Sequence, residues 1–199
     1  GCLEAVQEHR ADSLGVIPVM LPRIMKLPEE TLDSYDLSSL KVTAASGSAL
    51  PGDLGINWMD QFGDNLYNMY GSTEVAYATI ATPQDLRDAP GTAGKPPHAT
   101  IVKIFDEEGK PVPDGESGRI FVGNGLLFEG YTGGGHKEVI DGLMSSGDVG
   151  RFATRHHYAA YTGTAPIAYS ARAATGSNDT RFCSAAVALK STWEQNRCW

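Results

Sequence analysis

The chain lacks three features that would each point to a definite class of protein. Its longest apolar run, at 14–21, is eight residues long and contains Pro18, so it is too short to span a bilayer. The three cysteines do not have the spacing of a metal site, and their odd number fits a reducing compartment such as the cytoplasm. Positive charge is also scarce, because the formal net charge is −8, which argues against a nucleic-acid partner held through its phosphates.

A phosphate-binding loop of the P-loop type is missing as well. The glycine-rich stretch 130–137 comes nearest to one, but a P-loop requires lysine directly after its second conserved glycine. His136 stands at that position. The stretch is therefore predicted to be a flexible surface loop.

Apolar strands alternate with helical patterns over residues 1–85. Three apolar stretches predict buried strands, at 13–20, 41–45 and 66–70. Residues 51–62 predict a helix with Asp53 as its N-cap and Gly63 at its end. This order implies an α/β layer with a parallel sheet. Ligands bind beyond the carboxyl ends of such strands, so the loops after the second and third strands are expected to share one pocket.

The helical period fades after this layer. Residues 82–90 have the composition of a turn, and short β-runs follow at 99–105, 118–122 and 125–129. Residues 86–152 are therefore predicted to form a small β-rich subdomain beside the α/β layer.

Residues 153–199 differ from the rest in charge and composition. They carry five Lys or Arg against two Asp or Glu, in a chain that is acidic overall, and they show no regular apolar period. We expect an out-of-frame or otherwise unrelated tail that is largely disordered. The predicted organisation is thus 1–85, 86–152 and 153–199.

The stretch 68–74, with the sequence N-M-Y-G-S-T-E, carries most of the chemistry. Tyr70 offers a flat face for stacking on a planar ring, and Gly71 allows a close backbone approach or a positive φ. The two hydroxyl residues that follow can donate to phosphate oxygens. Glu74 is a hard oxygen ligand of the kind that holds Mg²⁺ next to a phosphate. These residues favour a nucleotide site; the alternative is a polar turn at the end of a strand.

The same stretch resembles the N-x-Y-G-x-T-E signature of the adenylate-forming superfamily, which includes acyl-CoA synthetases, luciferases and the adenylation domains of peptide synthetases. Further stretches resemble motifs of that family in the family's own order: Ser46–Leu50, Gly91–Pro96, Gly115–Ile120, Gly130–Tyr131 and Ser146–Gly150. Ordered matches of this kind are more specific than any single motif. Within the family, these motifs most resemble those of bacterial fatty-acyl-CoA synthetases, especially the actinobacterial type.

The resemblance implies an enzyme that activates a fatty acid with ATP to an acyl-adenylate and then transfers the acyl group to coenzyme A. ATP, Mg²⁺ and coenzyme A are the implied cofactor and co-substrates, and the cytoplasm is the expected location. The family's phosphate loop and lid lysine have no match in these residues, so we expect an inactive fragment. The alternatives are a non-enzymatic truncated gene product and an adenylation domain that loads a carrier protein.

The resemblance also implies the role of each site residue. Tyr70 is expected to stack on adenine, and Asp148 to hold the ribose. Thr73 and Glu74 are the expected catalytic residues, with Thr73 on the α-phosphate and Glu74 on Mg²⁺. The complete set of expected nucleotide-binding residues is Gly47, Ser48, Ala49, Asn68, Met69, Tyr70, Gly71, Ser72, Thr73 and Asp148.

Overall fold

A computed structural model describes residues 1–154, 157–160 and 187–189. The helices in this part of the chain are Cys2–His9 (α1), Leu21–Met25 (α2), Glu29–Asp33 (α3), Gly52–Phe62 (α4) and Pro83–Asp88 (α5). The strands are Ser13–Val16 (β1), Val42–Ala45 (β2), Leu66–Ser72 (β3), Ala76–Ala81 (β4), Ile101–Phe105 (β5), Gly118–Gly123 (β6), Val139–Ile140 (β7), Leu143–Thr154 (β8), His157–Ala160 (β9) and Val187–Leu189 (β10).

The first sheet, called sheet A, has the strand order β10-β1-β2-β3-β4. Its central strands β1, β2 and β3 are parallel, and β4 folds back antiparallel on β3. The helices between the parallel strands provide the crossovers that such a sheet requires. The predicted α/β layer is therefore confirmed, with β4 as an antiparallel edge strand that the apolar pattern did not predict.

Strand β1 is shorter than the predicted run 13–20. It ends at Val16, and a 3-10 turn occupies Pro18–Met20. Proline has no backbone N–H to donate to a strand ladder and its φ suits the first turn of a helix. The prediction of a strand through Met20 was wrong for that reason.

Helix α4 ends as predicted but does not begin as predicted. Gly63 closes it with a φ of 85°, and Pro51 is its N-cap, without a side-chain cap bond. Asp53 lies inside the first turn, so the prediction that it caps the helix was wrong. An acidic side chain in a first turn still stabilises the positive end of the helix dipole.

Helix α5 occupies a segment that was predicted to be a turn. Thr82 Oγ1 accepts a hydrogen bond from the backbone N–H of Asp85 at 3.2 Å, and the Thr82 backbone N–H donates to Asp85 Oδ2 at 3.0 Å. This reciprocal pair is a capping box, and Pro83 suits the first helical position. The polar composition of the segment is that of a capped short helix.

The second sheet, called sheet B, contains the strands β5-β6-β8-β7 in that order, all antiparallel. It confirms the β-rich half of the fold. Residues 125–129 are irregular, so the third β-run predicted for this half was wrong. A turn at 125–126 follows β6, and the chain re-enters sheet B only at β7, which pairs with β8.

Two short strands lie within the predicted tail. Strand β9 pairs with β8, and β10 pairs with β1 at the edge of sheet A. The remaining residues of 153–199, apart from Ala153 and Thr154 in β8, lie outside the described residues, and so does most of the predicted disordered segment. The division into 1–85, 86–152 and 153–199 stays a proposal.

An apolar contact joins the two sheets. Five buried side chains form it: Val75, Ala78, Ile120, Val122 and Met144. The first two lie in and beside the β3–β4 hairpin, and the other three lie on β6 and β8. A separate core covers one side of sheet A around Leu14, Trp58 and Leu66. Within the described residues, no helix combines the length and the apolar character needed to cross a bilayer.

The turn after α5 packs closely against strand β4 of sheet A at Gly94. Gly94 has a φ of +82°, and a Cβ there would lie 2.1 Å from the carbonyl carbon of Ile80, whereas Gly142 has a φ of +76° and open space around it. We expect Gly94→Ala to lower the free energy of unfolding by about 3 kcal/mol, the sum of strain and overpacking. The matched control Gly142→Ala, with strain alone, should lower it by about 1 kcal/mol.

Urea unfolding of the whole chain, followed by tryptophan fluorescence, measures both values. Equal losses for the two variants would contradict the close packing of Gly94 on β4.

Candidate nucleotide-binding site

The stretch 68–74 begins in strand β3 and ends in the turn that leads into β4. The register of the two strands shifts between Tyr70 and Gly71. A Cβ on Gly71 would lie 1.8 Å from the carbonyl oxygen of Ala76. Gly71 does not have a positive φ, so of the two expected uses of this glycine the structure shows a close backbone approach. Glycine is required because the neighbouring strand's backbone comes so close.

Ser72 organises the turn. Its Oγ accepts hydrogen bonds from the backbone N–H groups of Glu74, at 3.3 Å, and Val75, at 3.4 Å. The same hydroxyl donates to Glu74 Oε2 at 2.8 Å. A serine that bonds the backbone two and three residues ahead stabilises a turn of this kind. Ser72 thereby fixes the carboxylate of Glu74 relative to the hairpin, while Thr73 is exposed beside it.

Glu74 receives donors from a second segment, the glycine-rich loop 130–137. The Tyr131 hydroxyl donates to Glu74 Oε1 at 2.7 Å, and the Lys137 ammonium lies 3.9 Å from the same oxygen. The hydrogen bond from Tyr131, then that from Ser72 and the charge of Lys137, hold the pKa of Glu74 below its ordinary value. The same bond raises the pKa of Tyr131.

These surroundings suit a single-carboxylate magnesium site. The lowered pKa keeps Glu74 ionised, and its side chain is 20% exposed. The part of the chain that the structure describes contains no group of three His, Cys, Asp or Glu side chains that could hold a metal ion. Mg²⁺ is commonly bound through one or two carboxylates together with substrate phosphates, so an isolated Glu74 fits that ion in the presence of a nucleotide.

Tyr70 and Asp148 meet at the junction of the two sheets. The Tyr70 hydroxyl lies 2.9 Å from Asp148 Oδ2 and 3.0 Å from Ser146 Oγ. Ser146 is buried and donates to the carbonyl oxygen of Ile120 at 3.1 Å, so it fixes this contact on strand β6. Tyr70 comes from sheet A and Asp148 from sheet B, and the two residues expected to bind adenine and ribose are therefore in direct contact.

Hydrogen bonds to backbone carbonyl oxygens of the β3–β4 hairpin hold it against sheet B beside Tyr70 and Asp148. Asn124 Nδ2 donates to the carbonyl oxygens of Val75, at 2.9 Å, and Tyr77, at 3.2 Å. The Phe128 N–H donates to the carbonyl oxygen of Glu74 at 2.9 Å. The loop after β6 thus binds the turn through the amide of Asn124 and the backbone N–H of Phe128. These bonds hold the turn, with Glu74 and Tyr70, at one edge of the junction.

Asn68 and Met69 lie in β3, away from the contact of Tyr70 with Asp148. Asn68 is buried, and its Nδ2 donates to the carbonyl oxygen of Thr92 at 2.9 Å. It fastens the turn 91–96, and Thr79 does the same through the carbonyl oxygen of Ala93 at 2.7 Å. Met69 faces the other side of the strand, because side chains alternate along β3. Both residues lie in the strand that carries Tyr70 rather than beside Asp148.

Gly47, Ser48 and Ala49 form an exposed loop after β2. Ala45 pairs with Asn68 in a parallel register, and Gly47 follows Ala45 by the same two residues by which Tyr70 follows Asn68, so the loop starts at the level of Tyr70. Gly47 has a φ of +87°, and a Cβ there would lie 3.3 Å from Ile17 Cγ2. The loop therefore lies at the carboxyl edge of the parallel strands, as predicted from the strand order.

Four residues of this site were not among the expected ones: Asn124, Tyr131, Lys137 and Ser146. Tyr131 and Ser146 lie inside stretches that resemble family motifs, so a motif search could have included them. Asn124 and Lys137 carry no such signal. Their contacts with the hairpin, at sequence separations of 49 residues for Asn124 and Val75 and 63 residues for Lys137 and Glu74, form only in the folded junction.

Comparison with known proteins shows which proteins the chain is similar to. The chain is 34% identical over 151 residues to feruloyl-CoA synthase from Amycolatopsis, and 26% identical over 152 residues to the long-chain-fatty-acid–CoA ligase of Haemophilus influenzae. These matches cover 74% and 75% of the chain, but 30% and 27% of the relatives. The chain thus spans less than a third of these proteins.

A solved structure shows the same fold. The amide bond synthetase McbA from Marinactinospora thermotolerans superimposes with a TM-score of 0.72 at 26% identity, over 80% of this chain and 33% of McbA. The family described as AMP-binding enzyme matches residues 1–132. Since that match covers about two thirds of the chain, including the three parallel strands and the turn that carries Glu74, the chain belongs to the AMP-binding enzyme family.

Proposed function

We propose that the chain carries the nucleotide part of the active site of an acid–thiol ligase that activates a fatty acid with ATP. The observation that carries the proposal is the contact of Tyr70 with Asp148, at 2.9 Å, next to a turn that presents an ionised Glu74. An aromatic ring and a carboxylate acceptor side by side suit a nucleoside, because the ring can stack on the base and the carboxylate can accept from ribose hydroxyls.

In this reaction a carboxylate oxygen of the acid attacks the α-phosphorus of ATP, and the bond to the pyrophosphate leaving group breaks. The thiol sulfur of coenzyme A then attacks the acyl carbon, the bond to AMP breaks, and the thiol proton is released. Thr73, exposed at the turn, is assigned to donate to the α-phosphate, where charge develops. Glu74 would hold Mg²⁺, which would neutralise phosphate charge when bound.

The substrates are the finer part of the proposal, because the chain spans about 30% of its relatives. A fatty acid is proposed from the sequence motifs; an aromatic acid is the alternative suggested by the similarity to feruloyl-CoA synthase. Coenzyme A is the proposed acceptor, and an amine is the alternative suggested by the similarity to an amide bond synthetase. We propose the cytoplasm as the location, in line with the odd number of cysteines.

The stacking role of Tyr70 can be separated from its hydroxyl. Tyr70→Phe keeps the ring, so AMP binding should change by less than about threefold, whereas Tyr70→Leu removes a stacking surface worth about 1–3 kcal/mol and should weaken binding about 5- to 150-fold. Isothermal titration of the whole chain with AMP measures both, after circular dichroism has shown that each variant is folded. Equal losses in the two variants would contradict stacking.

The role of Asp148 predicts a loss that depends on charge. In Asp148→Asn the acceptor becomes neutral and one of its oxygens is replaced by a donor, so AMP binding should weaken about 10- to 100-fold, the size of a hydrogen bond to a charged group. Asp141→Asn is the matched control, because Asp141 lies in the exposed β7–β8 turn at a φ of 51°, which asparagine also adopts readily. Similar AMP affinities for the two variants would argue against a ribose contact.

The acid class can be tested without turnover. Sulfamoyl adenosines that carry a fatty-acyl or a feruloyl group imitate the acyl-adenylate, and we expect the fatty-acyl compound to bind about 100-fold more tightly than AMP. Competition against a fluorescent AMP analogue on the whole chain gives the affinities. Preference for the feruloyl compound would replace the fatty acid by an aromatic one, and no gain for either compound would contradict an acyl site beside the nucleotide.

A further inference from the structure

The glycine-rich loop 130–137 contacts Glu74 through a side chain that the proposed reaction does not use. Tyr131 donates its hydroxyl proton to Glu74 Oε1 at 2.7 Å, and Ser72 donates to Oε2 at 2.8 Å. Each oxygen of the carboxylate thus has one hydroxyl donor. An ionised carboxylate offers about four acceptor positions, so these donors and the ammonium at 3.9 Å leave room for a metal ion.

The ring of Tyr131 is held by its own segment. It packs against Phe128 edge to face, with ring centroids 4.8 Å apart, and the Phe128 N–H bonds the carbonyl oxygen of Glu74 at 2.9 Å. Residues 128–131 therefore contact Glu74 at both its backbone and its side chain. A phenol oriented in this way donates to one carboxylate oxygen from a fixed direction.

The other end of the loop is anchored to sheet B. Arg119 Nη1 donates to Glu138 Oε2 at 2.6 Å, and the Ser145 N–H donates to the carbonyl oxygen of Glu138 at 2.8 Å. Within the loop, the Gly134 N–H donates to the carbonyl oxygen of Tyr131 at 2.9 Å. The loop was predicted to be a flexible surface loop, but its contacts join three segments of the fold at Glu74.

Lys137 completes the surroundings. Its ammonium lies 3.9 Å from Glu74 Oε1 and 3.1 Å from the position that a Cβ on Gly147 would occupy. It therefore lies between the metal-binding candidate and the strand that carries Asp148. A glycine at 147 leaves the space that this ammonium needs, so the loop, the hairpin and β8 converge on one carboxylate.

We propose that Tyr131 is a positioning residue, which holds the Glu74 carboxylate in one orientation before the metal–nucleotide complex binds. This inference rests on the proposed role of Glu74 as a metal ligand. Hydrogen bonds to a ligating side chain fix its orientation, and their loss typically lowers metal affinity about 10- to 100-fold. Tyr131 does not touch the reacting atoms; it acts through Glu74.

The affinity experiment uses the whole chain, ATP and Mn²⁺ as a paramagnetic substitute for Mg²⁺, with unbound Mn²⁺ measured by electron paramagnetic resonance. Tyr131→Phe removes only the hydroxyl and should weaken ATP-dependent Mn²⁺ binding about 10- to 100-fold. Glu74→Gln should weaken it at least as much. The double variant should bind no more weakly than Glu74→Gln alone, because a residue that acts through Glu74 has no effect once that carboxylate is gone.

A matched control and a second measurement separate the outcomes. Tyr35→Phe changes a tyrosine in a separate groove beside Leu27 and should leave Mn²⁺ binding unchanged. Without metal, the NMR signal of ¹³Cζ-labelled Tyr131, assigned from its absence in Tyr131→Phe, should shift in Glu74→Gln but not in Glu116→Gln, because Glu116 is an exposed carboxyl elsewhere in the chain.

Each contrary result has a distinct meaning. An unshifted Tyr131 signal in Glu74→Gln overturns the contact and the inference, whatever the metal does. A shifted signal with wild-type Mn²⁺ binding in Tyr131→Phe, but weak binding in Glu74→Gln, overturns the positioning role alone. Mn²⁺ binding that is the same in wild type and Glu74→Gln overturns the metal assignment of the proposed function and, with it, the role of Tyr131.

Discussion

The buried apolar contact between the two sheets is the constraint on which the site depends. Full burial of an aliphatic side chain contributes about 1.5–3 kcal/mol, whereas a hydrogen bond contributes about 1 kcal/mol net. The junction around Val75 and Ile120 therefore holds the sheets together, and the bond between Tyr70 and Asp148, 78 residues apart, is placed by it. The proposed nucleoside site is built from both sheets, so it depends on that apolar contact.

The electrostatics of the site are arranged around one carboxylate. Two hydroxyl donors and an ammonium surround Glu74 and favour its ionised form. These donors come from the hairpin itself and from a loop of the other sheet. The carboxylate is thus oriented by groups that are already in place, so the proposed binding of a cation and its phosphates would need little reorganisation.

The sequence predicted the parallel strands and the edge at which the site lies, because apolar runs and strand order carry that information locally. It did not predict the end of β1 at Val16, where Pro18 overrides the apolar pattern, or helix α5, where the Thr82 capping box overrides a turn-like composition. The sequence also did not predict the roles of Asn68 and Gly71. A buried amide that fastens a distant turn and a glycine that admits a neighbouring carbonyl depend on tertiary contacts, which one sequence does not display.

The amide of Asn124 has a consequence for the lifetime of the folded chain. Its Nδ2 faces two carbonyl oxygens of the hairpin, its Oδ1 accepts from the Leu126 N–H at 2.8 Å, and the next residue is Gly125, which leaves the succeeding backbone nitrogen sterically accessible. Hydrolytic deamidation at this position would put a negative oxygen against those two carbonyls, since a carboxylate has no proton to donate. Deamidation of Asn124 would thus remove hydrogen bonds that hold the hairpin of sheet A against sheet B.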